Sequence, residues 1–294
     1  MLFRAVHGPR CGTVGRGLPQ CGPALTTTML LQPVLILELL LSGMAAGMLS
    51  GLLGIGGAMV LVPVLTFVLT HQGVQPEYVV KMAVATSLAT IVFTSLSSVR
   101  AHARRGAVRW DIVRVLAPGI VLGSVGGAQL AVALPARMLG ILFAVFITFS
   151  GTQMLLDRRP DPSRTIPGTL GMFAVGIVIG VLSALVGAGG AFVSVPFMTW
   201  CNVKIHDAVG TSAALGFPIA LAASAGYAWA GRNLPQMPAG SLGYVYLPGL
   251  AVIALASMTL APLGARIAHG MDIRPLKRIF AFVLYCIAAY FLLR

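Results

Sequence analysis

Two glycine clusters carry the chemistry this chain can do. Gly54, Gly56 and Gly57 stand in GIGG, Gly187, Gly189 and Gly190 stand in GAGG, and a proline follows each cluster by six residues, at Pro63 and Pro196. Both clusters sit inside apolar sequence. A glycine costs about 1 kcal/mol in a helix interior relative to alanine, so three in four residues interrupt a helix. A helix restarting at Ala58 or Ala191 opens with N–H groups that have no intrahelical acceptor, and carries about half an elementary positive charge there. Glycine has no side chain to hold an oxyanion away from those amides. The expected chemistry is anion binding by backbone, with no basic residue at the centre of a predicted span. Close helix–helix packing is the other use such glycines have.

The clusters belong to a repeat. Gly47–Leu65 and Gly180–Met198 are identical at eleven of nineteen positions, at a constant offset of 133 residues. Weaker echoes support the pairing: Ala85-Thr86-Ser87 with Gly210-Thr211-Ser212, Gly127-Ala128 with Gly264-Ala265, and Phe143-Ala144 with Phe280-Ala281. The hydroxyls of Thr86, Ser87, Thr211 and Ser212 either line the same cavity and donate to anion oxygens or bond carbonyls of their own helices. Pro63 and Pro196 bend the short helices that contain them. Glu38 is the only carboxylate within an apolar span. It is a candidate for proton coupling, because burial raises a carboxyl pKa, or an interface residue near its helix end. Gln129 and Gln153 have no repeat partners and are read as interhelical contacts.

The elements that position these residues follow from composition. Only 9% of the 294 residues are charged, 57% are hydrophobic, and the mean hydropathy is +0.93. Runs without Asp, Glu, Lys or Arg cover Leu39–Pro76, Val115–Ala136, Met138–Leu156, Thr165–Val203, Ala208–Gly231, Asn233–Ala265 and Ile279–Leu293. About 20 apolar residues span a bilayer, so the fold class is an all-α polytopic membrane protein. The net charge of +13 lies at the ends of apolar runs, as cytoplasmic loops collect it, and lacks the interleaved aromatics of a nucleic-acid surface. Cys11, Cys21, Cys201 and Cys286 form no CxxC, and the five histidines are scattered. No metal site, nucleophile triad or GxxxxGK[ST] loop is present, so neither enzyme chemistry nor a cofactor is implied.

Each half has the same parts. The first has a span near Pro33–Leu53, the break, a short helix Ala58–Thr70, and spans near Val79–Val99, Val115–Ala133 and Met138–Leu156. The second has a span near Gly168–Val186, the break, a short helix Ala191–Trp200, and spans near Ala208–Ala230, Leu242–Ala265 and Pro275–Leu293. The domain boundaries are then residues 29–156 and 168–294, joined by a polar linker over 157–167. Residues 1–28 contain Arg4, Arg10 and Arg16 and no long apolar run. They are either a disordered tail or an extension upstream of a true start at Met29.

Four spans plus a short helix per repeat give eight to ten crossings. If the short helices do not cross, the repeats point the same way; if they do, the repeats are inverted. With residues 1–28 set aside, inversion puts thirteen Lys/Arg inside and four outside (Lys81, Arg137, Arg232 and Arg294), and the parallel arrangement splits them ten to seven. The positive-inside rule favours inversion. Counting residues 1–28 as cytoplasmic makes the two equal.

GLLGIGGAMVLVPVL, its second copy LVGAGGAFVSVPFM, and the following ATS and GTS resemble the sulfite exporter TauE/SafE family over roughly residues 33–293. The resemblance implies a multi-pass carrier of the bacterial inner membrane for small anions such as sulfite or sulfonates. It places the site on Gly54, Gly56, Gly57, Gly187, Gly189 and Gly190, flanked by Ala58 and Ala191, with Thr86, Ser87, Thr211 and Ser212 as neighbours. Many family members have consecutive glycines at each break; here Ile55 and Ala188 interrupt the run, which narrows the pocket. The partners implied are a small anionic substrate and the lipid bilayer, with a homo-oligomer left open and nucleic acid excluded. An anion channel with the same dipole-lined pore is the alternative to a carrier.

Overall fold

Apolar runs too long for a soluble core become a bundle of membrane-length helices. The computed structural model describes residues 33–53, 58–156, 166–234, 237–268 and 274–293. The first glycine cluster, Gly54–Gly57, lies outside these residues, as do residues 1–28 and the linker over 157–165. The elements are α1 (Pro33–Leu53), α2 (Ala58–His71), α3 (Pro76–Ala103), α4 (Trp110–Ala133), α5 (Ala136–Leu156), α6 (Thr169–Val186), α7 (Ala191–Trp200) and α8 (Ile205–Ala230). A hairpin of β1 (Ser241–Leu242) and β2 (Val245–Tyr246) precedes α9 (Leu247–Ala268) and α10 (Arg274–Leu293). By length and composition α3, α4, α5, α6 and α8 can each cross a membrane. Their outward faces carry Leu122, Val145, Phe149, Leu170 and Leu221, all exposed, as lipid contact requires.

Without a hydrophobic drive between helices in lipid, close approach of backbones holds such a bundle together. Glycines at i, i+4 spacing provide it. Gly119, Gly123 and Gly127 of α4 lie directly against the backbone of Phe173, Ile177 and Val181 of α6, and Gly176 and Gly180 of α6 lie against Leu116 and Ile120 of α4. The same device joins Gly43 and Gly47 of α1 to Ile253 and Ser257 of α9. In both pairs residue numbers rise together, so α4 runs parallel to α6 and α1 parallel to α9. These stripes are a GxxxG pattern that the sequence reading left unused.

Two other pairs run in opposite directions. Gly216 of α8 lies beside Ser95 of α3, while Gly210 lies beside Ala107 just past the end of α3. Phe143 of α5 stacks on Phe291 of α10, and Thr152 meets Tyr285. One apolar core surrounds α2, α3 and the hairpin; a second fills the space between α4, α6, α7 and α8.

The span expected from Leu242 starts later, at Leu247. Gly240 and Gly243 adopt positive φ of 81° and 57°, conformations that turn the chain and that glycine alone adopts freely. A β-carbon on Gly243 would run into the Ala228 carbonyl. The connection between the spans expected at Val79–Val99 and Val115–Ala133 is shorter than those bounds imply, because α3 continues to Ala103 and α4 begins at Trp110.

Gly123→Leu should therefore separate α4 from α6 and abolish a monodisperse peak in fluorescence-detected size exclusion. Gly126→Ala, at a position with open space around it, should elute as the wild type does.

Candidate functional site

The second break is built and buried. α6 ends where Gly187 turns left-handed (φ 74°, ψ 20°), with the Gly187 and Ala188 amides both donating to the Ser183 carbonyl at 2.9 and 3.2 Å. This is how a glycine closes a helix. Gly190 is left-handed again (φ 78°) and starts α7. Its carbonyl accepts from Val193 and Ser194 at 3.1 and 2.9 Å. The amides before those, on Ala191 and Phe192, stand at the open end of the helix.

Carbonyls freed by such an end must find donors when buried. Ser87 of α3 donates to the Gly187 carbonyl at 3.4 Å, and the Tyr227 hydroxyl of α8 donates to the Ala184 carbonyl at 3.0 Å. Leu185 through Ala191 are all buried. Where a β-carbon on Gly187 would stand, Val62 and Val84 are 3.1 and 3.3 Å away. Val62 lies four residues into α2, so the start of that helix is about 6 Å further along its axis.

The site residues expected from sequence divide into two groups. Ser87, Gly187, Gly189, Gly190 and Ala191 share one buried neighbourhood, and Ser212 reaches it by accepting a 2.8 Å hydrogen bond from Ser194 of α7. Thr86 and Thr211 are turned elsewhere. The Thr86 hydroxyl oxygen accepts the Tyr246 amide at 3.0 Å, and the Thr211 hydroxyl oxygen accepts the Arg109 amide at 3.0 Å. Those amides lead into α9 and α4, so matching threonines of the two halves cap matching helices of the opposite halves. The α3–α8 register puts the two threonines at opposite ends of that contact. Gly54, Gly56 and Gly57 lie outside the described residues, and Ala58 opens α2.

Three further placements bear on the site. Lys81, counted on the outer side, lies inside α3 and is buried, its ammonium donating to the Val132 carbonyl at 2.7 Å. Gly127 beside Val181 sets the α4–α6 register, which carries Val132 to the height of the break, so the buried ammonium stands at about that level. Glu38 is exposed on α1, next to the outward-facing Leu37 and Leu41. Gln129 donates across to the Gly226 carbonyl at 3.3 Å, an interhelical contact as expected.

The sequence reading missed Ser183. It is 2% exposed, and its Oγ has no hydrogen-bond partner although it stands at the start of α7. Its presence in both copies of the repeat, as Ser50 and Ser183, was the available signal. The hairpin packs against the same region: Tyr244 contacts the rings of Tyr78 and Tyr227, and burial pushes its phenol above the usual value.

A family model for the sulfite exporter TauE/SafE matches residues 39–291. The chain belongs to the TauE/SafE family. It is 35% identical over 254 residues to a probable membrane transporter protein of Haemophilus influenzae, covering 86% of this chain and 96% of that one. A probable membrane transporter protein of Methanocaldococcus jannaschii is 27% identical, with 80% and 83% covered. One from Bacillus subtilis is 31% identical, with 62% and 74% covered. No solved structure matches. This TauE/SafE protein is a multi-pass membrane transporter of a small substrate and not an enzyme.

Thr86→Val and Thr211→Val keep shape and remove the acceptor of the buried Tyr246 amide and of the part-buried Arg109 amide. Each should destabilise the detergent-solubilised protein by about 1–3 kcal/mol, read as a lowered midpoint of thermal unfolding, and the double variant should lower it further.

Proposed function

We propose that this protein exports small sulfur oxyanions, sulfite or sulfonates, across the bacterial inner membrane as a secondary carrier. The observation that carries the reading is the interrupted helix at Gly187–Gly190, left-handed at both ends and enclosed by protein. Irregular backbone at membrane depth is tolerated only when buried or lining a cavity. Here it aims the open amides of α7 into a region that also holds Ser87 and lies near the level of the buried Lys81 ammonium. Family membership supports the cargo class.

The carrier is built from two inverted repeats, α1–α5 and α6–α10. Supporting this, α3 and α8 run antiparallel, as do α5 and α10. The α1–α9 and α4–α6 pairs are counterparts, as are the two threonine caps. Two short helices, α2 and α7, start near one another with Val62 beside Gly187. Cargo held between those starts is passed across as the halves rock.

In proteoliposomes loaded with radiolabelled sulfite, the wild type should show saturable efflux. Gly57→Leu with Gly190→Leu should reduce it at least about tenfold, the loss of one or two charge-assisted hydrogen bonds, with normal protein content in the membrane. Glu38→Gln, on the outer face, should leave efflux intact. Undiminished flux in the double variant would refute the site, and ohmic single-channel current would make the protein a channel.

A further inference from the structure

We propose that the Ser183 hydroxyl is a hydrogen-bond donor to the transported anion, and that the second break thereby selects small oxyanions over sulfonates carrying their own ammonium. The inference rests on the reading of that break as the cargo site.

A serine in a helix ordinarily donates to the carbonyl one turn back. Ser183 does not: it is 2% exposed, and its Oγ is without any partner. Its carbonyl is committed to closing α6 through Gly187 and Ala188. The hydroxyl points toward the start of α7, 3.1 Å from where a β-carbon on Gly190 would be. A buried polar atom left unpaired in a native fold calls for an explanation, and a ligand supplies one. The residue it faces, Gly190, caps α7, where the Ala191 and Phe192 amides also lack intrahelical acceptors. Donors from two helices thus stand at one junction.

What surrounds that point sets the selectivity. Ile179 and Ile219 flank Gly190, Ile91 flanks Gly189, and Val62 and Val84 flank Gly187. None of these neighbours is a carboxylate. A pyramidal oxyanion finds hydroxyl and amide donors. A zwitterion such as taurine brings an ammonium that would be buried among branched aliphatic groups without a counter-charge, a costly arrangement.

The test uses the full chain in proteoliposomes with radiolabelled sulfite, comparing wild type, Ser183→Ala and Gly190→Leu. Ser183→Ala should raise the KM for sulfite about tenfold, one hydrogen bond to a charged group, and leave Vmax within about twofold. Its melting temperature without sulfite should equal or exceed that of the wild type, because an unpaired buried hydroxyl has been removed. Excess unlabelled sulfite should compete with label; excess taurine should not. An unchanged KM in Ser183→Ala, a lowered melting temperature with unchanged KM, or competition by taurine would overturn the proposal. Loss of flux in Gly190→Leu beside an unaltered Ser183→Ala would leave the break as the cargo site and remove only the serine. Full flux in Gly190→Leu, or none in the wild type, would remove both.

Discussion

In hydrocarbon, every backbone N–H and C=O must be satisfied by the protein itself. This chain breaks a helix between Gly187 and Gly190, and much of the surrounding structure answers that requirement. Ser87 comes from α3 to one freed carbonyl, and Tyr227 comes from α8 to another. Each donor needs its helix held close. The glycine stripes of α4 and α6 bring those helices into backbone contact, and α3 and α8 close over the junction. A break like this is stable only because four helices surround it.

The same logic explains the threonine caps. α4 and α9 each begin with an amide that has no partner in its own helix. Thr211 and Thr86 supply the acceptors from the other half of the chain. The two halves are thus tied at both ends by identical bonds, with the break between them.

The second break, the all-helical class and the extent of the short helices were legible in the sequence, because glycine clustering and runs free of charge are local signals; of the eight spans expected, five of the described helices are long and apolar enough to cross a membrane. Ala191–Trp200 was placed to the residue. Other features depended on partners far along the chain. Thr86 meets a residue 160 positions away and Thr211 one 102 away, so nothing nearby marks their oxygens as structural. Lys81 was counted on the outer side because the expected span began only two residues before it; α3 starts at Pro76 and takes the lysine further inside. The hairpin before α9 was read as helix because Leu242–Tyr246 is apolar, and only two positive-φ glycines turn it back. The α4 and α6 stripes were readable as GxxxG, but which helices they join follows from packing alone.

The account stands on an anion held by the open amides of α7. An anomalous diffraction map of crystals soaked in selenite, a heavier pyramidal analogue of sulfite, tests it directly. The expected result is a selenium peak beside Gly190, with oxygens in hydrogen-bond range of the Ala191 and Phe192 amides and Ser183 Oγ. A map with α6 and α7 joined as one unbroken, lipid-facing helix, or with selenium bound only at arginines outside the membrane-spanning helices, would contradict it.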